Sequence, residues 1–197
     1  MKKIEPILHS FLDEQKICVS NITKNSKDLE DLIRLLIKAR NNGKKIFTMG
    51  NGGSGSTASH FVSDLLKTAI IKDKKRFQAF SLTDNIPVIL AWSNDVSYDR
   101  IFIEQLKNTV SNGDVVIAFS GSGNSKNLIS ALKFCKKNHV KCIGFSGSLG
   151  GKMKQYCDLC IRVPSTDMLT IESQHVLLCH GIVSTIRKLG NPQFKYN

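Results

Sequence analysis

The chain has 197 residues, 41% of them hydrophobic, with 28 lysines and arginines against 16 aspartates and glutamates, for a formal charge of +12. That length is enough to bury a substantial core in one domain over residues 1–197, and the composition excludes a disordered chain. No apolar run approaches the ~20 residues that span a bilayer, so no membrane partner is expected. Acidic residues Glu5, Asp13 and Glu14 interrupt the start where a signal peptide needs an apolar stretch, so a cytoplasmic protein is expected. The positive charge is spread along the chain. Its densest cluster, Lys72, Lys74, Lys75 and Arg76, lacks interleaved aromatic residues and any nucleic-acid motif, so it reads as solvated surface. Cys18, Cys135, Cys142, Cys160 and Cys179 sit among apolar neighbours, as reduced core thiols do. Cys157 and Cys160 form a lone C-x-x-C that reads as packing, because a zinc half-site needs a second pair.

Ile4, Ile7, Leu8, Phe11 and Leu12 repeat with helical spacing and predict an amphipathic helix over 4–22. Ser26 is placed to cap a second helix carrying Leu29, Leu32, Ile33, Leu36 and Ile37, which Asn41-Asn42-Gly43 ends. These first 42 residues read as a helical hairpin available for contacts between copies. Ile46 to Met49 is a short buried strand. It breaks into Gly50-Asn51-Gly52-Gly53-Ser54-Gly55-Ser56-Thr57 and then a helix, with Phe61 and Leu65 on one face. Strand, glycine loop and helix N-terminus together present free N–H groups to an anion. On the same helix His60 and Asp64 are spaced i, i+4 and share a face, as a base or a pair of metal ligands would.

Residues 77–82 read as a second strand, followed by a helix from Thr83-Asp84-Asn85 with Pro87 in its first turn. Asn94-Asp95 is expected to break that helix, and Tyr98 to Val110 to form another. Asp114 to Phe119 is a third strand running into Ser120-Gly121-Ser122-Gly123-Asn124-Ser125 and a helix through Leu128, Leu132 and Cys135. Residues 141–146 and 158–163 give two more strands, and a final helix covers about 170–189. Strands alternating with helices, without hairpin turns, predict an α/β fold with a five-stranded, parallel, doubly wound sheet. Ligands in such sheets bind beyond the C-terminal strand ends, where both Ser/Gly loops fall. Neither loop carries a dinucleotide fingerprint or a P-loop lysine, whereas hydroxyls with backbone N–H groups suit a phosphate monoester. A small phosphorylated molecule is the expected ligand.

The blocks G-N-G-G-S at 50–54, A-S-H-F at 58–61, L-T-D-N at 82–85, N-D at 94–95, S-G-S-G-N-S at 120–125, R-V-P-S-T-D at 162–167 and I-E-S-Q-H-V-L-L-C-H at 171–180 occur in one order. Together they resemble the sugar isomerase (SIS) domain family, and within it the phosphoheptose isomerases. The resemblance implies an aldose–ketose isomerase that interconverts sedoheptulose 7-phosphate and glycero-manno-heptose 7-phosphate, for bacterial surface polysaccharide. It implies substrate contacts from Asn51, Gly52, Gly53 and Ser54, a sugar lined by Asn94 and Asp95, and phosphate held by Ser120, Gly121, Ser122 and Ser125. It implies a metal and acid–base cluster of His60, Asp64, Glu172 and His180, with zinc bound in several members, and a homotetramer. Two positions depart from the best-known pattern, which has glutamate where this chain has Asp64 and glutamine where it has Glu172.

The chemistry needs a base, an acid and a group that stabilises an enediolate oxygen. Asp64 or Glu172 supplies the base on this reading, and His180 the acid. Of the remaining histidines, His9 and His139 read as surface residues, and His175 as either core or site. Glu172 and His180 lie eight residues apart on one helix, about 12 Å at ~1.5 Å per residue. Uniting them with His60 and Asp64 therefore predicts a site shared between chains. The rival expectation is a non-catalytic member that binds a protein or senses a sugar phosphate; the acids at 64 and 172 argue against it.

Overall fold

The computed structural model describes residues 3–24 and 26–195. β1 (Lys45–Gly50), β3 (Val115–Phe119) and β4 (Lys141–Ser146) are mostly apolar, and their interiors are buried on both faces. Strands of that kind need helices above and below, which requires parallel crossover connections. β2 (Gln78–Ser81) and β5 (Leu159–Arg162) are half-exposed and form the two edges. All pairings are parallel and the order is β2-β1-β3-β4-β5, the five-stranded sheet expected.

Alternate residues of each inner strand feed two separate cores. Phe47, Met49, Val116, Ala118 and Cys142 pack with α5 (Ile103–Thr109) and α6 (Lys126–Lys137). Ile46, Ile117, Phe119, Ile143 and Phe145 face α2 (Lys27–Asn41), α3 (Gly52–Ser63) and α7 (Met168–Lys188). The chain leaves β1 towards β2 on one side and returns to β3 on the other. The C-terminal ends of β1 and β3 therefore border the crevice where this topology receives ligands.

Some local expectations change. Ser26 precedes α2, but its side chain makes no cap hydrogen bond; its carbonyl oxygen accepts from the Leu29 and Glu30 N–H groups instead. The two N-terminal helices do not close on each other as a hairpin. α1 (Ile4–Lys24) lies along α7, joined by Gln15 to Thr170 (2.9 Å) and Gln174 to Gln15 (2.8 Å), while α2 packs under β5, β1 and α7. α4 (Ile86–Asp95) starts after Asn85, whose side chain accepts from the Val88 N–H, and ends at Asp95, at the Asn94-Asp95 pair expected to stop it. Residues 98–110 divide into a 3-10 turn, Tyr98–Arg100, and α5. α3 passes directly into one π-helical turn, Asp64–Thr68, closed by the Ala69 N–H on the Asp64 carbonyl (2.8 Å); no spacing in the sequence announces it.

His175 is a core residue. It is fully buried, with ring centroids 6.0 Å from Phe119 and 5.8 Å from Phe145, and Nε2 lies 3.4 Å from the Ser146 carbonyl oxygen. Burial lowers its pKa to about 4, because the apolar surroundings disfavour the imidazolium. The unfolded chain takes up a proton near pH 6.5 that the folded chain refuses until about pH 4, so stability is lost as pH falls through that window. At about 1.4 kcal/mol per pKa unit, His175 costs about 2 kcal/mol by pH 5. Urea unfolding at pH 7.5 and pH 5 should show the wild type losing about that much more than His175→Leu; equal losses would refute the assignment.

Candidate active site

Asn51 precedes α3 in an extended conformation (φ −106°, ψ 147°), and its side chain does not cap the helix. Its amide is paired with that of Asn127 at the start of α6. Asn51 Nδ2 donates to Asn127 Oδ1 (3.1 Å), and Asn127 Nδ2 donates to Asn51 Oδ1 (2.8 Å). The Tyr98 hydroxyl adds a third bond to Asn51 Oδ1 (2.9 Å), and buried Asn127 also accepts from the Leu128 N–H (2.9 Å). This network joins the loops after β1 and β3. Asn127 and Tyr98 escaped the sequence reading, since a lone asparagine behind S-G-S-G-N-S carries no spacing signal.

The N-terminus of α3 faces the carboxylate of Glu172. Ser54 Oγ donates to Glu172 Oε1 (3.4 Å), and a Cβ on Gly53 would stand 2.3 Å from Glu172 Oε2. Only glycine admits the carboxylate so close, and a negative group at this end complements the helix dipole. The anion position read from the 50–57 loop is thus taken by a residue of the chain itself.

Two to three turns further along, α3 with its π turn and α7 bring together His60, Asp64 and His180. His60 Nε2 and His180 Nε2 are 2.7 Å apart, and Asp64 Oδ2 lies 3.5 Å from the first and 3.7 Å from the second. The imidazole side chains are 45% and 55% exposed, the carboxylate only 14%. A cleft of about 440 Å³ opens beside Asp64 and His180, with Arg187 and Lys188 on its wall. All three groups come from one chain, which overturns the argument that Asp64 and His180 must come from different copies. Glu172 stands apart at the other end of the seam, so the expected four-residue cluster is three residues plus one.

Two imidazoles and a carboxylate are a donor set that zinc accepts with an open fourth position. Bonds of ~2.0–2.2 Å in a tetrahedron separate donors by roughly 3.3–3.5 Å. The two carboxylate–imidazole separations are close to that range, and the imidazole nitrogens, 2.7 Å apart, need to part by about 0.6–0.8 Å. The three residues fit a metal ion.

The loop after β3 is built differently. Buried Ser120 receives the Gly123 N–H on its hydroxyl (3.1 Å) and lies 3.4 Å from Ser125 Oγ, while the Asn124 N–H donates to Ser122 Oγ (3.2 Å). Gly123 (φ +63°) and Gly151 (φ +56°) press this loop against the one after β4, where a Cβ on Gly123 would meet the Gly150 carbonyl oxygen at 2.2 Å. Ser125 precedes α6 without a side-chain cap, so a helix N-terminus there faces the crevice with hydroxyls beside it. Gly121 lies against Met168 at the start of α7. Beside the start of α3, a pocket of about 320 Å³ is lined by Asn51, Gly52, Ser56, Ser59, Thr83 and Tyr98, among others, and by no residue of the 120–125 loop. Ser59, Ser81 and Thr83 share hydroxyl contacts on its wall, with Asp84 bound to Ser59. Asn94 and Asp95 do not line it; they are exposed on the last turn of α4, bonded to each other (2.9 Å).

A parallel α/β sandwich with serine and glycine loops at its topological switch point, and an acid–imidazole cluster on the neighbouring helices, defines a protein that binds small anionic molecules. The SIS domain profile matches residues 10–147. A phosphoheptose isomerase from Aliarcobacter butzleri is 37% identical over 181 residues, covering 91% of this chain and 95% of that one. Phosphoheptose isomerase 2 of Campylobacter jejuni is 37% identical over 166 residues, covering 81% and 82%. Among solved structures, a phosphoheptose isomerase from Neisseria gonorrhoeae superposes with a TM-score of 0.87 at 26% identity, covering 94% of this chain and all of that one. The chain belongs to the SIS domain family, among the phosphoheptose isomerases.

The amide pair generates a test. Asn127→Leu leaves the Asn51 amide short of two partners, and an unsatisfied polar group costs about 1–3 kcal/mol. Tyr98→Phe removes one bond from a half-exposed hydroxyl and should cost less. Urea unfolding of both variants decides the point: if Asn127→Leu is no more destabilised than Tyr98→Phe, the pair does not hold Asn51.

Proposed function

We propose that the chain is a cytoplasmic phosphosugar aldose–ketose isomerase. It interconverts sedoheptulose 7-phosphate and D-glycero-D-manno-heptose 7-phosphate, supplying heptose for surface polysaccharide. The observation that carries this reading is the acid–imidazole cluster of His60, Asp64 and His180, one seam away from a serine loop at an open helix N-terminus. The relatives' names agree with it.

On this reading Ser120, Ser122, Ser125 and the start of α6 hold the phosphate, and Gly121 gives its backbone room. Clamping the phosphate remotely uses binding energy to fix the reacting end. Asn51, held by Asn127 and Tyr98, contacts the sugar together with Gly52, Gly53 and Ser54, and Glu172 adds a carboxylate to that wall. Asp64 is the base, because its carboxylate lies beside His180, which gives the acid to the neighbouring oxygen. Glu172 lies eight residues from His180 on α7, too far to serve an adjacent carbon with it. Zinc held instead by His60, Asp64 and His180 would, when bound, polarise the carbonyl in place of the His180 proton, leaving the second Asp64 oxygen as the base.

Residues 1–197 act as one SIS domain, and residues 1–42 contribute contacts within a homotetramer. Ile4, Ile7, Leu8 and Ile17, each more than half exposed on α1, support that role.

Incubation with sedoheptulose 7-phosphate, with and without chelator, should yield the aldose, resolved by chromatography; no product under either condition refutes the isomerase reading. Ser120→Ala and Ser122→Ala should each raise KM at least tenfold, since a bond to a charged group is worth roughly 1.5–3 kcal/mol; wild-type constants in both would move the phosphate elsewhere. Asp64→Asn should abolish solvent-proton exchange into substrate, while Glu172→Gln, which restores the better-known family residue, retains it. The reverse result would make Glu172 the base. Because Asp64 and His180 meet within one chain, mixed oligomers of His180→Ala and Asp64→Ala should stay inactive. Recovered activity after verified subunit exchange would restore the shared site.

A further inference from the structure

The C-x-x-C that the sequence assigns to packing has an unusual setting. Gly144 on β4 pairs in register with Cys160 on β5. A Cβ at Gly144 would stand 2.8 Å from Cys157 Sγ and 3.5 Å from Cys160 Sγ, so both sulfurs face the notch that the missing side chain leaves. Both cysteines are half-buried, unlike the other four, which are buried. Ser146 Oγ lies 3.6 Å from Cys160 Sγ, and Cys157 Sγ reaches the Met153 carbonyl oxygen (3.4 Å). Along the free edge of β5 runs a groove of about 610 Å³ whose lining includes Cys160, Arg162 and Lys27, against one acid, Asp28.

We propose that Cys157 and Cys160 form a reversible dithiol–disulfide site that reacts with anionic low-molecular-weight disulfides. Reactive thiolates occupy partly exposed, electropositive surroundings, and this groove is one. A hydrogen bond from Cys157, then one from Ser146 and the charges of Arg162 and Lys154, hold the Cys160 thiol down at about 6 against its burial. Cys157 is pushed up, first by that shared bond and then by burial. Cys160 lines the groove and Cys157 does not, so Cys160 is the attacking sulfur. Its thiolate attacks one sulfur of the small disulfide, forming a mixed disulfide and releasing one small thiolate. Cys157 then attacks the Cys160 sulfur, its proton passing to the second small thiolate as that leaves. Two protein thiols are oxidised and one small disulfide is reduced to two thiols.

The site touches the serine loop indirectly. Cys157 closes the 3-10 helix Lys152–Tyr156, whose Met153 N–H donates to the Gly123 carbonyl (2.8 Å) and whose Lys152 N–H donates to Asn124 Oδ1 (3.0 Å). Drawing Cys157 onto Cys160 shifts that brace, a consequence that rests on the isomerase reading, whereas the thiol chemistry does not.

The test treats the full native chain with glutathione disulfide or with cystamine, a cationic disulfide, then quenches, alkylates and maps the peptides by mass spectrometry. Wild type should form the Cys157–Cys160 disulfide, several-fold faster with glutathione disulfide, and Cys157→Ser should stop at a mixed disulfide on Cys160. No adduct on Cys160 in Cys157→Ser, or first attack at Cys157, overturns the proposal; equal rates with the two probes overturn its anionic preference. The oxidised enzyme should show a several-fold higher KM for sedoheptulose 7-phosphate, reversed by dithiothreitol. An unchanged KM with the disulfide formed overturns the brace alone, and an untreated protein without isomerase activity counts against the isomerase reading instead.

Discussion

The packing of α3 against α7 is the constraint on which the candidate site depends. Two contacts fix its register: Gly53 and Ser54 meet Glu172 at one end, and His60 and Asp64 meet His180 at the other. The two helices therefore run in the same direction over one face of the sheet. Beneath them, Phe61 and Leu65 of the α3 segment and Cys179, Ile182 and Ile186 of α7 join a single core with Ile117 and Phe119. The apolar faces set the register, and the polar groups meet because they lie on the neighbouring edges of the same two helices. A one-turn slip would part the two histidines and pull Glu172 off the start of α3.

This register also separates the functions of two similar loops. Both follow a strand, both are rich in serine and glycine, and both open a helix. Glu172 occupies the positive end of α3, whereas among the described residues the start of α6 has no acidic side chain bonded to it. On the proposed reading, an incoming phosphate would meet repulsion at the first loop and open donors at the second. Asn51 and Asn127 then tie the two loops together, so that ligand groups bound at one are held at a set distance from the other.

The fold was legible because its signals are local. Continuous apolar runs such as 115–119 alternate with helical repeats such as Leu128, Leu132 and Cys135, and parallel topology follows from that alternation. His60 and Asp64 were legible for the same reason, being one turn apart on one helix. What the sequence does not carry is the register between helices far apart in the chain. The 12 Å between Glu172 and His180 is real and keeps Glu172 out of the cluster. It does not part His180 from His60 and Asp64, because α3 runs alongside α7 and meets each residue in turn. The two histidines of α7 show the same limit. Spacing left His175 as either core or site; in the fold, it is buried against Phe119 and Phe145, and His180 stands at the exposed edge. Nor does any spacing mark the π turn at Asp64–Thr68, which begins at the acid of the cluster.

The exposure of that cluster bears on how the proposed chemistry is completed. His60 and His180 are about half open to solvent, and an enediolate generated there would be reprotonated and solvated by bulk water. Isomerases of this mechanistic type work by excluding water from the reacting carbons. Among the described residues, Thr68, Val183, Ser184, Arg187 and Lys188 line the cleft beside Asp64 and His180. The missing cover must come from the substrate or from another copy. α1 carries its exposed apolar row and docks on α7 through Gln15, leaving Leu169 and Leu177 of α7 uncovered beside it. A second chain packed on this continuous apolar surface would lie next to the seam without supplying any of its three polar groups. In the assembly proposed above, sharing would then concern enclosure of the site, since His60, Asp64 and His180 already meet within one chain.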